Sequence, residues 1–114
     1  MKKIFIAVLV GSVALFAACT KKASPAKVVV KTNYNIDIVP LLQARCTPCH
    51  LPSQKGFKAN FENYESAKKY AADMVTRIQL NPGDKGFMPF KHAKLAEEEI
   101  AVFKKWVADG LLEK

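Results

Sequence analysis

The stretch Cys46-Thr47-Pro48-Cys49-His50 sets two thiols three positions apart, with an imidazole directly after the second. Thiols at that spacing can add to the two vinyl groups of one porphyrin. The adjoining histidine then lies under the ring plane, where it can ligate the iron. Other uses of a Cys-x-x-Cys pair fit less well. A thioredoxin-like redox pair sits within a βαβ pattern, and none surrounds this one. A structural zinc site takes four ligands, whereas only three cluster here. His92 is distant and has no paired His or Cys. The pentapeptide therefore predicts one haem c, attached through Cys46 and Cys49, with His50 as an axial iron ligand.

The remaining cysteine speaks to the compartment. Met1-Lys2-Lys3 is a short basic start, and Ile4 to Ala18 is an apolar run broken by Gly11 and Ser12. That run suits the core of a signal peptide and falls short of the about 20 residues of a membrane span. It ends Leu15-Phe16-Ala17-Ala18-Cys19, which resembles a bacterial lipoprotein signal, although Phe16 stands where that family usually has Leu. The resemblance implies cleavage after residue 18, lipidation of Cys19 and anchoring on the periplasmic side of a bacterial membrane. The alternative is an ordinary cleaved signal that leaves Cys19 as a thiol. Bulky Phe16 fits poorly there, because such a site wants a small residue at that position. Export agrees with the haem, since bacteria attach c-type haem outside the cytoplasmic membrane.

The whole chain carries a formal charge of +8. Loss of Lys2 and Lys3 leaves 16 basic against 10 acidic residues, or +6, on a mature chain long enough for one small domain. Neither an Arg cluster nor an RNP-like strand is present, and an exported chain rarely meets nucleic acid, so none is expected as a partner. The lysines are either a solvated surface or a means of docking acidic redox partners. Residues 19–33, with Lys21, Lys22, Lys27, Lys31 and Ser24-Pro25, read as a lipid-anchored tether. Val28-Val29-Val30 could form a short strand but has no hairpin partner. Residues 34–114 form the domain.

Within it the pattern is helical. Asp37 is placed to cap a helix starting at Ile38, with Pro40 in the first turn and Ile36 and Leu41 as a hydrophobic staple. Ile38, Leu41, Leu42 and Cys46 share one face. A second helical stretch spans about Tyr64 to Leu80, striped by Tyr64, Ala67, Ala71, Met74, Val75 and Ile78, with Asp73 as a point of interruption. A third runs from about Ala96 to Asp109 and stops at Gly110. It presents Ile100, Phe103 and Val107, with Val102 and Trp106 alongside. Glu97, Glu98 and Glu99 suit its positive start, and Lys104 and Lys105 its far end. The fold class expected is all-α.

This order resembles the single-haem class I cytochrome c family over about 80 residues. The features that carry it are Pro40-Leu41-Leu42 shortly before Cys46, Met88-Pro89 in a loop, and Trp106-Val107-Ala108-Asp109-Gly110 near the end. The resemblance implies terminal helices packed across each other around one covalent haem. Two departures stand out. Ile38 and Leu42 occupy positions where many members have Gly and an aromatic, so a wider helix crossing is expected. Ala96 stands where Ser or Thr would cap the last helix.

Met74, Met88 and His92 are the candidates for the sixth iron ligand. Met74 sits at helical spacing and reads as core filler. Met88 lies in Asn81-Pro82-Gly83-Asp84-Lys85-Gly86-Phe87-Met88-Pro89-Phe90, a turn-rich stretch that can swing a thioether over the ring, with Phe87 and Phe90 covering its edge. Met88-Pro89 also resembles the family's distal ligand motif. His92, beside Lys91 and Lys94, reads as a surface histidine, with bis-His ligation as the alternative. Arg77 is expected in a surface ion pair or on a haem propionate, and Tyr64 and Trp106 in the core or on a propionate. A carbonyl near Pro52 is expected to orient His50. Met/His ligation favours Fe(II) and leaves no place for substrate, so the expectation is a membrane-tethered one-electron carrier rather than an enzyme. A gas-binding or sensing haem protein with a labile Met88 is the alternative. A small peroxidase is a weaker one, because Arg77 and His92 are not paired by their placement.

Overall fold

Asn33 opens the helical part of the chain. Its side-chain oxygen accepts from the N–H of Ile36 at 2.9 Å, and the Asp37 carboxylate accepts from the N–H of Asn33 at 2.8 Å. Two side chains therefore cap a wide π-type turn over Tyr34–Ile38, which runs directly into helix α1, Val39–Cys46. Asp37 does not start a helix at Ile38 as expected, because the helical turn begins earlier and leaves it inside. The staple also fails, since Ile36 is 73% exposed. Pro40 does sit in the first turn of α1, where it removes no helical hydrogen bond. The computed structural model describes residues 28–51 and 59–114. The expected signal peptide 1–18, Cys19 and tether residues 19–27 lie outside the described residues, as does Pro52. Val28, Val29 and Val30 are exposed and form no strand.

Helix α2 spans Tyr64–Gln79 and α3 spans Glu97–Ala108. Asn63 caps α2 by accepting from the N–H of Ser66 at 3.0 Å. The expected interruption at Asp73 is absent, because its carboxylate accepts from Arg77 Nε one turn on at 2.7 Å and so braces the helix. Pro82 comes closely behind and blocks continuation past Leu80. Ala96 gives α3 no side-chain cap, yet Glu99 Oε2 accepts from the Ala96 N–H at 2.9 Å. At the other end Gly110 adopts φ +96°, a left-handed conformation that favours glycine. There Leu111 N–H bonds the Trp106 carbonyl and Gly110 N–H the Val107 carbonyl, the pair of bonds that closes a helix with a left-handed cap.

The described residues are all-α, with Asn33 and Leu112 pairing as an isolated bridge. Both ends of the domain are tied together beyond α3. Tyr34 N–H donates to the Leu112 carbonyl at 2.8 Å, Asn35 N–H to Glu113 at 3.2 Å, and Thr32 N–H to Asp109 Oδ2 at 2.6 Å. Lys105 pairs with Asp109 and reaches the Val30 carbonyl at 3.0 Å. Arg45 Nε meets Glu99 Oε1 at 2.8 Å at the opposite end. The N-terminal helical unit therefore runs antiparallel to α3. Ile38, Leu42, Ala67, Ala71, Met74, Ile78, Ile100, Phe103 and Trp106 fill the space between. Each comes from the apolar face that its helical spacing defines, which removes it from water and stabilises the packing. Among the described residues no helix is long and apolar enough to cross a membrane.

Candidate functional site

Among the described residues the helices line a cavity of about 470 Å³, within the range of about 300–1,000 Å³ usual for cofactor sites. Two separate stretches of chain line it. The first is the end of α1 and the segment leading on to α2, with Cys46, Cys49, His50, Ala59 and Phe61; the second is α2 and the loop after it, with Met74, Arg77, Ile78, Met88 and Phe90. Phe103 of α3 and Leu95 complete the apolar wall.

Local geometry explains how the pentapeptide reaches the cavity. Cys46 is the last residue of α1. Thr47 turns to extended backbone, as the residue before proline must, and its hydroxyl donates to the Gln43 carbonyl. His50 N–H then returns to the Cys46 carbonyl at 2.9 Å, so the five residues fold as a turn around the helix end. Both cysteines are half-buried and outside any disulfide. Burial, with the Cys49 thiol beside it, pushes the Cys46 thiol up to about 12, so it remains protonated at neutral pH.

His50 is held from two directions. Its Nδ1 lies 2.7 Å from the Ala59 carbonyl, and its own carbonyl accepts from the N–H of Phe61 at 3.2 Å. A carbonyl can only accept, so Nδ1 carries the proton and Nε2 is the nitrogen through which the ring could ligate a metal. The Phe61 ring stacks on the imidazole with centroids 4.6 Å apart and planes at 26°. Among the described residues the Ala59 carbonyl orients the ring, and the neighbourhood of Pro52, the expected place for such a carbonyl, lies outside them. Phe61 and Ala59 were not legible, because the segment around them has no helical spacing and a backbone oxygen leaves no residue signature.

Met88 is half-buried against the core, and its N–H donates to the Arg77 carbonyl at 3.3 Å. The expected turn-rich loop is present. Asp84 Oδ2 accepts from Asn81 N–H at 2.8 Å, and Phe87 N–H donates to the Asp84 carbonyl at 3.1 Å. Phe90 lies at the cavity mouth, 65% exposed, while Phe87 is buried and does not line the cavity. The two aromatics expected at the edge thus divide, because Met88 between them turns the chain from the core to the rim. Met74 lies in the core, 5% exposed, with its side chain on the cavity. Exposed His92 and half-buried Arg77 both line the cavity, and the Arg77 guanidinium is bonded to Asp73 and the Gly86 carbonyl.

The other residues considered for propionate binding lie elsewhere. Tyr64 Oη donates to the Leu111 carbonyl at 2.8 Å, and Trp106 Nε1 to the Leu112 carbonyl at 2.9 Å. Trp106 is fully buried, and neither ring lines the cavity. Both serve the closure of the chain ends.

Two thiols, an oriented imidazole, a thioether and apolar walls are the groups that a covalent haem would need, and their chemistry fits one. Among the described residues no three His, Cys, Asp or Glu side chains converge as a metal cage. Comparison of the chain with protein-family models, with curated proteins and with solved structures gives no match.

Proposed function

We propose that this chain is a class I type, single-haem c cytochrome that carries one electron at a time between partner proteins. The observation that carries the reading is the convergence of Cys46, Cys49, His50 and Met88, from distant parts of the sequence, on one apolar cavity. Haem supplies the one-electron iron couple and a large apolar surface when bound.

The chain's own residues do the rest. Cys46 and Cys49 would hold the haem covalently, through one thioether bond each to its two vinyl groups. His50 presents Nε2, with its proton held on Nδ1 by Ala59 and its plane held by Phe61. Met88 offers a soft thioether that favours the reduced state. Met74, Ile78, Leu95 and Phe103 exclude water from the site. Phe90, with Lys91 Nζ 5.3 Å from its ring centre, marks the accessible rim, where a redox partner with an acidic surface docks. Lipidation at Cys19 holds the protein on the periplasmic side of a membrane.

Production in a host that matures c-type haem tests the reading. The denatured wild-type chain should retain haem through acidified-solvent extraction and gain the mass of one haem. Cys46→Ala with Cys49→Ala should lose it. A wild-type chain whose haem extracts freely, or that takes up none, overturns the proposal.

A further inference from the structure

Arg77 is where α2 and the Met88 loop meet. Its carbonyl accepts from the N–H of Leu80 at 3.4 Å and of Met88 at 3.3 Å. Its side chain reaches in two further directions: Nε donates to Asp73 Oδ2 at 2.7 Å, and Nη1 donates to the Gly86 carbonyl at 3.4 Å. One residue therefore touches the loop at Gly86 and Met88 while it is fixed to its own helix one turn back. Gly86 is suited to that approach. It adopts φ +95°, and a Cβ there would lie 3.3 Å from Nη1.

We propose that Arg77 is a positioning residue for Met88: its guanidinium latches the 81–88 loop to α2 and so sets how rarely the thioether leaves the iron. The inference rests on the Met88 ligation proposed above. The Asp73–Arg77 ion pair is exposed on both sides and contributes little stability on its own. Its work is to hold one arm of the guanidinium fork so that another faces Gly86. Lysine, a point charge without the fork, cannot make both contacts.

The test uses the haem-loaded ferric protein, with imidazole added to saturation so that departure of Met88 limits the rate. Absorption follows the reaction in wild type, Arg77→Lys, Arg77→Gln, Met88→Ala and the control Val75→Ala on the same helix. Wild type should react slowly and Met88→Ala fast. Both Arg77 variants should react about three- to tenfold faster than wild type, the factor that one hydrogen bond of ordinary net strength commands. Val75→Ala should lower the melting temperature without changing the rate. Arg77 variants that react at the wild-type rate, or a Val75→Ala protein accelerated as much as they are, overturn the latch alone. A wild type already as fast as Met88→Ala overturns Met88 ligation, and the latch with it.

Discussion

Removing both cysteines proposed to bond the haem, Cys46→Ala with Cys49→Ala, should cost the domain its native fold. The cavity is about 470 Å³, and every helix contributes to its wall: Cys46 from α1, Met74 and Ile78 from α2, Phe103 from α3. A buried cavity that stays unfilled destabilises by about 24 cal/mol per Å³, which for this volume is about 11 kcal/mol. Because the mouth is open, water reaches part of the space and that figure is an upper value. A domain of about 80 residues has a total stability of about 4–12 kcal/mol. The two quantities are of the same size, so the haem-free chain should be molten or unfolded. Far-ultraviolet circular dichroism should show reduced helicity, with α2 the best candidate for residual helix. Near-ultraviolet signals from Trp106 and the tyrosines should be weak and the thermal transition broad. Full native helicity with a sharp melt in the haem-free variant would show that the helices hold their fold without the porphyrin, and the prediction would fall.

Other outcomes rest on individual contacts. Met88→Ala should lower the reduction potential, by a few hundred millivolts at most given axial-ligand tuning over roughly 0.8 V, and should admit carbon monoxide to the ferrous iron; potentiometry and absorption check both. Hydrogen bonding to Arg45 holds the Glu99 carboxyl below its ordinary range, and Lys105 with the Thr32 N–H does the same for Asp109. Both groups have folded values below their unfolded ones. Their contribution is therefore complete above the unfolded values and is lost as pH falls through the folded ones. The melting temperature of the haem-loaded protein should fall below about pH 5, and Asp109→Asn should flatten that fall; an unchanged pH profile would contradict it. Tyr64→Phe removes the bond to the Leu111 carbonyl and should lower stability by about 0.5–1.5 kcal/mol in thermal melts, while leaving the haem spectrum and potential unchanged. A shifted potential would instead point to a haem contact.

The helices were legible where an apolar stripe repeats at helical spacing. Tyr64, Ala67, Ala71, Met74, Val75 and Ile78 give α2 its extent, and Gly110 gives α3 its end. The placing of Met88 in a non-helical loop was legible from Pro82, Gly83 and Gly86. What escaped depends on partners distant in sequence or on backbone atoms. Asn33 caps the first turn from outside any apolar periodicity, and Asp37 helps it from within. Glu99 serves α3's start and α1's end with its two oxygens, and only the tertiary approach of Arg45 reveals the second role. Tyr64 and Trp106 end on carbonyls of the last residues, and His50 on the carbonyl of Ala59. No residue type announces such acceptors, so aromatic side chains of the core and of the site look alike in sequence.

A closed, six-coordinate iron is what the proposed electron-carrier function requires, and carbon monoxide probes it. The ferrous absorption spectrum of the matured protein is recorded before and after the gas is added. An unchanged low-spin c-type spectrum is the predicted result, with Met88 and His50 occupying both axial positions. Prompt formation of a carbonyl complex would contradict it and make the protein a gas-binding haem protein with a labile sixth site.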